Sequence, residues 1–387
     1  MRRGIWGVAV LLALLLLMSA AAETPRLIAG TPHPETTSRI QLTPAPTPTP
    51  VPTSAPESTP APEEPEETGN GPRIRPRYPA QTIQPSLPTD PPIITRAPTP
   101  TPSPTPKPTP LPTPPLIVSR ADNPDAWSWF SFPKNAELMK VVMPTLYDAD
   151  AALILCGGKA ALIDCADYGQ ERDVVSMLET MGVKRLEFVL ITHPHHDHTE
   201  GFGAVAAAVE VGEVLISFPE DYNERMTDLL LRAEAFKIPV RHVADGDVLR
   251  IGEASLTLID RVPEDYGANN RSLQAVLRYR GRSMYFSADI EPIGMDALLQ
   301  NVRPGELRAD ILKYPHHALN NLHTGFIGAV RPKLCVITSR SNDTASKRAL
   351  RDNQIPYVNT RTGGVILSTD GRHWLVERLI PGWRLDY

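Results

Sequence analysis

Cysteine is scarce: the 387 residues include 3, Cys156, Cys165 and Cys335. That is too few for a disulfide scaffold, and an odd number for an exported chain. Buried free thiols are expected, since a Cys156–Cys165 bridge would need a shifted register in the hairpin turned at Gly157-Gly158. No cysteine lies near residue 22, which disfavours a lipid-anchored start. Positive charge is not in excess either: the formal net charge is −5. A broad basic surface for nucleic acid is disfavoured, although a local groove remains open. The apolar run from Val8 to Met18 is shorter than the roughly 20 residues that span a bilayer.

What stands at the start is Met1-Arg2-Arg3, that apolar run, and small residues from Ser19 to Ala22. The order predicts a signal peptide over 1–22 and an exported, secreted or extracellular protein. Residues 23–124 read as a disordered Pro/Thr-rich linker holding most of the 42 prolines. Proline removes donors and fixes φ, and Thr and Ser add little burial. Its composition fits a spacer associated with a cell wall or membrane surface, or a tail without a specific role. Residues 125–387 form one block long enough to bury a substantial core.

Within that block, short apolar runs bounded by turn residues predict strands. These include Lys140–Met143, Ala151–Cys156, Ala160–Asp164, Phe188–Ile191, Val214–Ile216, Ser255–Ile259 and Leu334–Ile337. Ser272–Tyr279 and Ser283–Ser287 pair around Arg280-Gly281. Helical spacing of apolar residues predicts helices over Glu171–Met181 and Tyr222–Phe236, and Phe202–Val209 is alanine-rich. The pattern is an α/β sandwich with helices covering packed sheets, and no fixed-period repeat is present.

The strongest feature is Thr192-His193-Pro194-His195-His196-Asp197-His198. Four imidazoles and a carboxylate directly after an apolar strand are hard to explain by packing. Residues two apart in an extended segment point the same way, so His193 and His195 can close on one ion. Asp197 and His198, where the chain turns toward a helix, can face another. Imidazole and carboxylate suit Zn²⁺, and also Mn²⁺ or Fe²⁺. A solvated polar loop or a structural zinc site is the competing explanation, but structural sites favour cysteine-rich shells.

The segment His193-Pro-His195-His-Asp197-His198 resembles the H-x-H-x-D-H signature of the metallo-β-lactamase fold superfamily. Asp164, closing Leu162-Ile-Asp164, is similar to the family's first Asp motif. The stretch from Asn269-Asn-Arg-Ser272 to Ser287-Ala-Asp289 resembles the part that delivers a bridging aspartate. Ile311-Leu-Lys-Tyr-Pro-His316-His317 looks like the late K-x-x-H-H segment of ComEC-like competence proteins. The likeness runs from about Val141 to Val376.

This resemblance implies a four-layer αββα sandwich with two divalent metal ions at its rim, Zn²⁺ favoured and Mn²⁺ the alternative. His193 and His195 would hold one ion, Asp197 and His198 the second, and Asp289 would bridge. His316 or His317 would complete the set, with His316 favoured by its spacing from the family's glycine position. Asp197 would orient a metal-activated hydroxide, and Asp164 either fixes a ligand imidazole or bonds backbone donors. The expected function is a metal-dependent hydrolase acting on a phosphodiester, in nucleic acid or a phosphorylated envelope component. Lactone, thioester or lactam hydrolysis is one alternative, and a degraded surface-displayed binding module the other.

Some positions depart from the family pattern. A further ligand histidine is missing: His242 is the sole histidine between His198 and Asp289, and it lies in a predicted strand. Ala318-Leu319 replaces a Gly-Ser, and Ser287-Ala288 stands where glycine is usual. Arg241, Arg250 and Lys313 read as surface charges or phosphate binders, and His323 as a rim residue. Cys335 reads as core.

Overall fold

The structure is a computed structural model that describes residues 112–340 and 347–379. The expectations for residues 1–22 and 23–111 lie outside the described residues. Among those described, two large sheets dominate. The first has the order Ile117–Ser119, Trp374–Arg378, Val365–Thr369, Met139–Met143, Ala152–Cys156, Lys159–Ile163, Val189–Leu190, Val214–Ile216, Val240–His242. The second has the order Val248–Ile251, Ala254–Ile259, Gln274–Tyr279, Arg282–Phe286, Ile311–Lys313, Leu334–Ile337, Tyr357–Asn359.

Strand alternation assigns side chains to three apolar layers. Val141, Met143, Ile154 and Leu190 of the first sheet meet Leu256, Leu277, Met284 and Val336 of the second in one core between the sheets. The opposite face of the first sheet, with Val142, Leu153 and Leu162, packs on Val174, Met177, Phe202 and Leu229. These last come from helices Glu171–Thr180, Phe202–Ala208 and Glu224–Ala235. The outer face of the second sheet, with Val276, Tyr285 and Leu312, packs on Met295, Leu298, Phe326 and Leu350. Those residues sit on helices Pro292–Asn301, Thr324–Val330 and Arg348–Asp352. The layers run helix, sheet, sheet, helix, a mixed α/β sandwich.

Burial on both faces explains why Met139–Met143 is buried throughout and shows no polar alternation. The helix Glu171–Thr180 buries Val174, Met177 and Leu178, the i, i+3, i+4 stripe of an amphipathic helix. It ends before Gly182, whose φ of +69° favours glycine.

The folded region begins earlier than the sequence boundary at residue 125. Ile117–Ser119 pairs in parallel with Trp374–Val376 and buries Val118 completely. Three residues among prolines carry almost no periodic signal, so the strand is visible only through its partner. The helices Pro292–Asn301 and Thr324–Val330 also escaped the sequence pattern, the first because its buried positions include Gly294 and Ala297, which blur the apolar stripe, and the second because seven residues make only about two turns. All three cysteines are buried and free.

Candidate metal centre

The histidine segment leaves the first sheet after Val189–Leu190 and is pinned by its own carbonyls. Leu273 N–H donates to Thr192 O at 2.9 Å, Asp150 N–H to Asp197 O at 3.1 Å, and Cys165 N–H to His198 O at 2.8 Å. Asn223 caps the helix Glu224–Ala235 by accepting from Met226 N–H at 2.9 Å, and its amide donates to Pro194 O at 2.9 Å. Gly201 follows the short helix His196–Thr199 and lies against the Cys165 carbonyl, where a Cβ would collide with backbone.

These anchors bring the sequence motifs together. His193 Nε2 lies 3.0 Å from His195 Nδ1 and 3.9 Å from Asp289 Oδ2. His198 Nε2 is 3.2 Å from Asp289 Oδ2 and 3.8 Å from Asp197 Oδ2. His317 Nε2 is 3.3 Å from Asp289 Oδ2 and 3.2 Å from Asp197 Oδ2. Asp289 arrives from the second sheet, one turn beyond Arg282–Phe286, with its N–H donated to Ser272 Oγ at 3.1 Å.

His317 enters the cluster, whereas His316 stays at its mouth. The spacing argument that favoured His316 is reversed by the backbone: both histidines adopt left-handed φ, 48° and 49°, so the chain coils tightly and drives the second imidazole inward. His317 is fully buried, and His316 is half-buried with Nε2 4.0 Å from Asp289 Oδ2. Asn320 holds His316 Nδ1 at 2.9 Å. His195 and Asp197 are also half-buried, so the cluster opens to solvent on their side.

Asp164 does both things the sequence left open. Thr192 N–H and Oγ1 donate to it at 2.8 Å each, and its Oδ2 lies 2.8 Å from His198 Nδ1. His242 is exposed, 3.5 Å from Glu220, and His323 lies 3.3 Å from Asp296. Arg241 pairs with Glu213 at 2.8 Å. Lys313 corrects the surface reading: it is 2 % exposed, ion-paired with Asp150, and 3.8 Å from Asp289 Oδ1. Asp150 was not singled out from sequence. It precedes the strand Ala152–Cys156 with no motif around it, and only the fold brings it near His317.

Charge is concentrated here. Burial lowers the His198 and His317 pKa values, but Asp289, with Asp164 for the first and Asp150 for the second, holds both imidazoles well above the ordinary value. His193 is pushed well down by burial and by the neighbouring His198. Burial would raise Asp197 and Asp289, and the histidines outweigh it, so both stay below the usual carboxylate range.

A divalent ion suits this donor set. Asp150, His198, Asp289 and His317 offer ligand atoms all within 4.8 Å of one another. His198 Nε2 and both carboxylate oxygens of Asp289 are buried without a well-formed hydrogen bond among the described residues. Buried acceptors left so are costly unless a cation satisfies them.

Residues 145–328 match the family model described as the Metallo-beta-lactamase superfamily. The chain is 27 % identical over 178 residues to ComE operon protein 3 of Bacillus subtilis (strain 168), covering 45 % of this chain and 22 % of that protein. It is 25 % identical over 228 residues to hydroxyacylglutathione hydrolase of Rhodopseudomonas palustris (strain BisB5), covering 56 % of this chain and 81 % of that protein. The metallo-beta-lactamase fold protein YhfI from Bacillus subtilis aligns with a TM-score of 0.40 at 12 % identity, over 57 % of this chain and 95 % of that one. The family match falls on the histidine and aspartate elements just described, and the chain is accordingly a metal-binding hydrolase with the metallo-beta-lactamase superfamily fold.

Proposed function

We propose that this hydrolase acts on an activated carboxyl derivative, a thioester, lactone or lactam, at a centre of two divalent ions with zinc favoured. The observation that carries the substrate class is the charge of the mouth. His316 there is flanked by Glu291, 3.4 Å from its Nδ1, and by the amides of Asn269 and Asn320. On the other side His196 bonds Asp167 at 3.0 Å. Carboxylates and amides suit a neutral acyl centre better than a polyanion. Two of the three basic residues considered for phosphate are committed, Lys313 to Asp150 and Arg241 to Glu213, while Arg250 is exposed on the strand Val248–Ile251. The relative that supports this reading is one whose name denotes hydrolysis of an acylated glutathione, matched over most of its length.

Divalent ions, when bound, would polarise the scissile carbonyl and acidify a water. His193, His195, His198, His317, Asp197 and Asp289 would hold them. Four carboxylates, Asp150, Asp164, Asp197 and Asp289, gather here with the Lys313 ammonium, a surplus of acidic groups that suits divalent cations. Asp197, half-buried on the solvent side, is the carboxylate suited to orient an attacking water. His316 and Asn320 stand where they can hydrogen-bond the leaving group.

A phosphodiester is the second reading, favoured by the 178-residue likeness to ComE operon protein 3 and by the Lys313-Tyr-Pro-His-His317 segment. Nucleic acid or a phosphorylated envelope component would then be the substrate. Support for export, and for tethering at a wall or membrane surface, comes from residues 1–22 and the proline-rich stretch after them.

A zinc- or manganese-loaded preparation should be offered S-lactoylglutathione, a homoserine lactone, nitrocefin, bis-p-nitrophenyl phosphate and DNA. Turnover of a thioester, lactone or lactam that is lost in His198→Ala supports the proposal. Phosphodiester cleavage with no acyl turnover would replace it with the second reading.

A further inference from the structure

Two imidazoles converge on one oxygen, and each has an aspartate behind its Nδ1, hydrogen-bonded directly for His198 and with Thr338 Oγ1 as the nearer partner for His317. His198 presents Nε2 to Asp289 Oδ2 at 3.2 Å while Asp164 lies 2.8 Å behind its Nδ1. His317 presents Nε2 to the same oxygen at 3.3 Å, and Asp150 Oδ1 lies 3.4 Å behind its Nδ1. The first dyad belongs to the motifs already described. The second, with Asp150, has no counterpart in them.

Asp150 is itself held from two sides. Thr338 Oγ1 donates to its Oδ1 at 2.8 Å and also lies 3.0 Å from His317 Nδ1. The Lys313 ammonium pairs with its Oδ2, and reaches Ala288 O at 3.4 Å and Asp289 Oδ1 at 3.8 Å. Asp150 comes from the loop before Ala152–Cys156 in the first sheet, and Lys313 ends the strand Ile311–Lys313 in the second. The pair therefore ties the two sheets together under the metal centre. Asp150 is near enough to His198, Asp289 and His317 to join them on an ion. A carboxylate in that position ligates unless something else satisfies it, and a buried ammonium does so with both charge and direction.

We propose that Asp150 and Lys313 are a positioning pair: Asp150 aims His317 at the metal, and Lys313 keeps Asp150 out of the coordination sphere. Lys313 thus sets how many oxygens surround the ion, and leaves an exchangeable position that ligation by Asp150 would fill. This rests on the metal-centre reading above and not on the choice of substrate.

The test compares Lys313→Met, Lys313→Arg and the double variant Asp150→Asn/Lys313→Met with the wild type, all loaded with Co²⁺. Visible absorption of the cobalt reports coordination number, chelator competition reports affinity, and kcat and KM are read on whichever substrate the wild type turns over. With Lys313→Met, the spectrum should shift toward higher coordination with affinity equal to or above wild type. kcat should fall about 10- to 100-fold with little change in KM. Lys313→Arg should restore the wild-type spectrum. The double variant, which removes both buried charges and so keeps the fold, should lose the added ligand and bind cobalt about 10- to 100-fold more weakly, because His317 loses its backing.

A Lys313→Met protein with wild-type spectrum, affinity and kcat would overturn the proposal. A double variant with wild-type affinity would do so too, even if Lys313→Met fails to fold. A wild type inert on every substrate, yet showing these spectral and affinity changes, would sink the acyl-hydrolase reading and leave the pair standing.

Discussion

Asp164 Oδ2 sits 2.8 Å from His198 Nδ1, so the tautomer and direction of His198 are set by a residue that directly follows the strand Lys159–Ile163. Replacing Asp164 by Asn keeps its volume and removes the charge behind the imidazole. Metal affinity is expected to fall about 10- to 100-fold, as is usual when the partner of a ligand histidine is lost. Chelator competition on Asp164→Asn checks this, and an unchanged affinity would mean that Asp164 serves only the Thr192 backbone.

Metal removal has a signed pH dependence. Burial lowers the pKa of His198 and His317, but the surrounding aspartates hold both well above the ordinary imidazole value of 6.5. In the metal-free protein the two imidazoles are therefore protonated near neutrality, and their pairing with the aspartates contributes stability that is full below pH 6.5. That contribution is lost as pH rises through the raised folded values. Chelated protein should thus lose melting temperature on going from neutral to alkaline pH while the loaded protein does not. Zinc added to chelated protein in weak buffer should release protons. Zinc uptake without proton release would contradict the assignment.

The departures from the family's glycines now have a geometric meaning. Ala288 and Ala318 adopt φ of 46° and 64°, the left-handed region where glycine is at ease. A non-glycine residue costs roughly 1–2 kcal/mol there, and glycine returns part of that as unfolded-state entropy. Ala318→Gly should therefore stabilise the domain by about 0.5–1 kcal/mol in a urea titration. A lower midpoint would show that the Ala318 methyl contributes packing that outweighs the strain.

Gly201 is the opposite case. A Cβ at this position would meet the Cys165 carbonyl, which is backbone and unable to move aside without shifting Asp164. Gly201→Ala should destabilise the domain by roughly 1–3 kcal/mol, the scale of overpacking, and should loosen the metal site together with the fold. Wild-type stability in a urea melt would refute the close approach.

The clustering of histidines and an aspartate was legible in the sequence because it is local. His193, His195, Asp197 and His198 lie within six positions, and alternation along an extended segment is enough to aim the first two together. The layered α/β class followed from apolar runs and one clear amphipathic stripe, because burial on both faces leaves that trace. Asp150 and the role of Lys313 were hidden because the ion pair joins residues 163 positions apart, on different sheets, with ordinary neighbours on either side. The choice of His317 over His316 depended on left-handed backbone angles at both, which residue identity does not announce. The strand Ile117–Ser119 was missed for a similar reason, since its only signal is a partner at Trp374–Val376.

The account turns on Asp289 as the oxygen donor that His193, His198 and His317 all face. Metal analysis by plasma mass spectrometry on protein purified without chelator, wild type beside Asp289→Asn, is the most direct test. Two ions per wild-type chain, falling to one or fewer in the variant, is the result the account requires. A wild type with no bound ion, or a variant that keeps both, would contradict it.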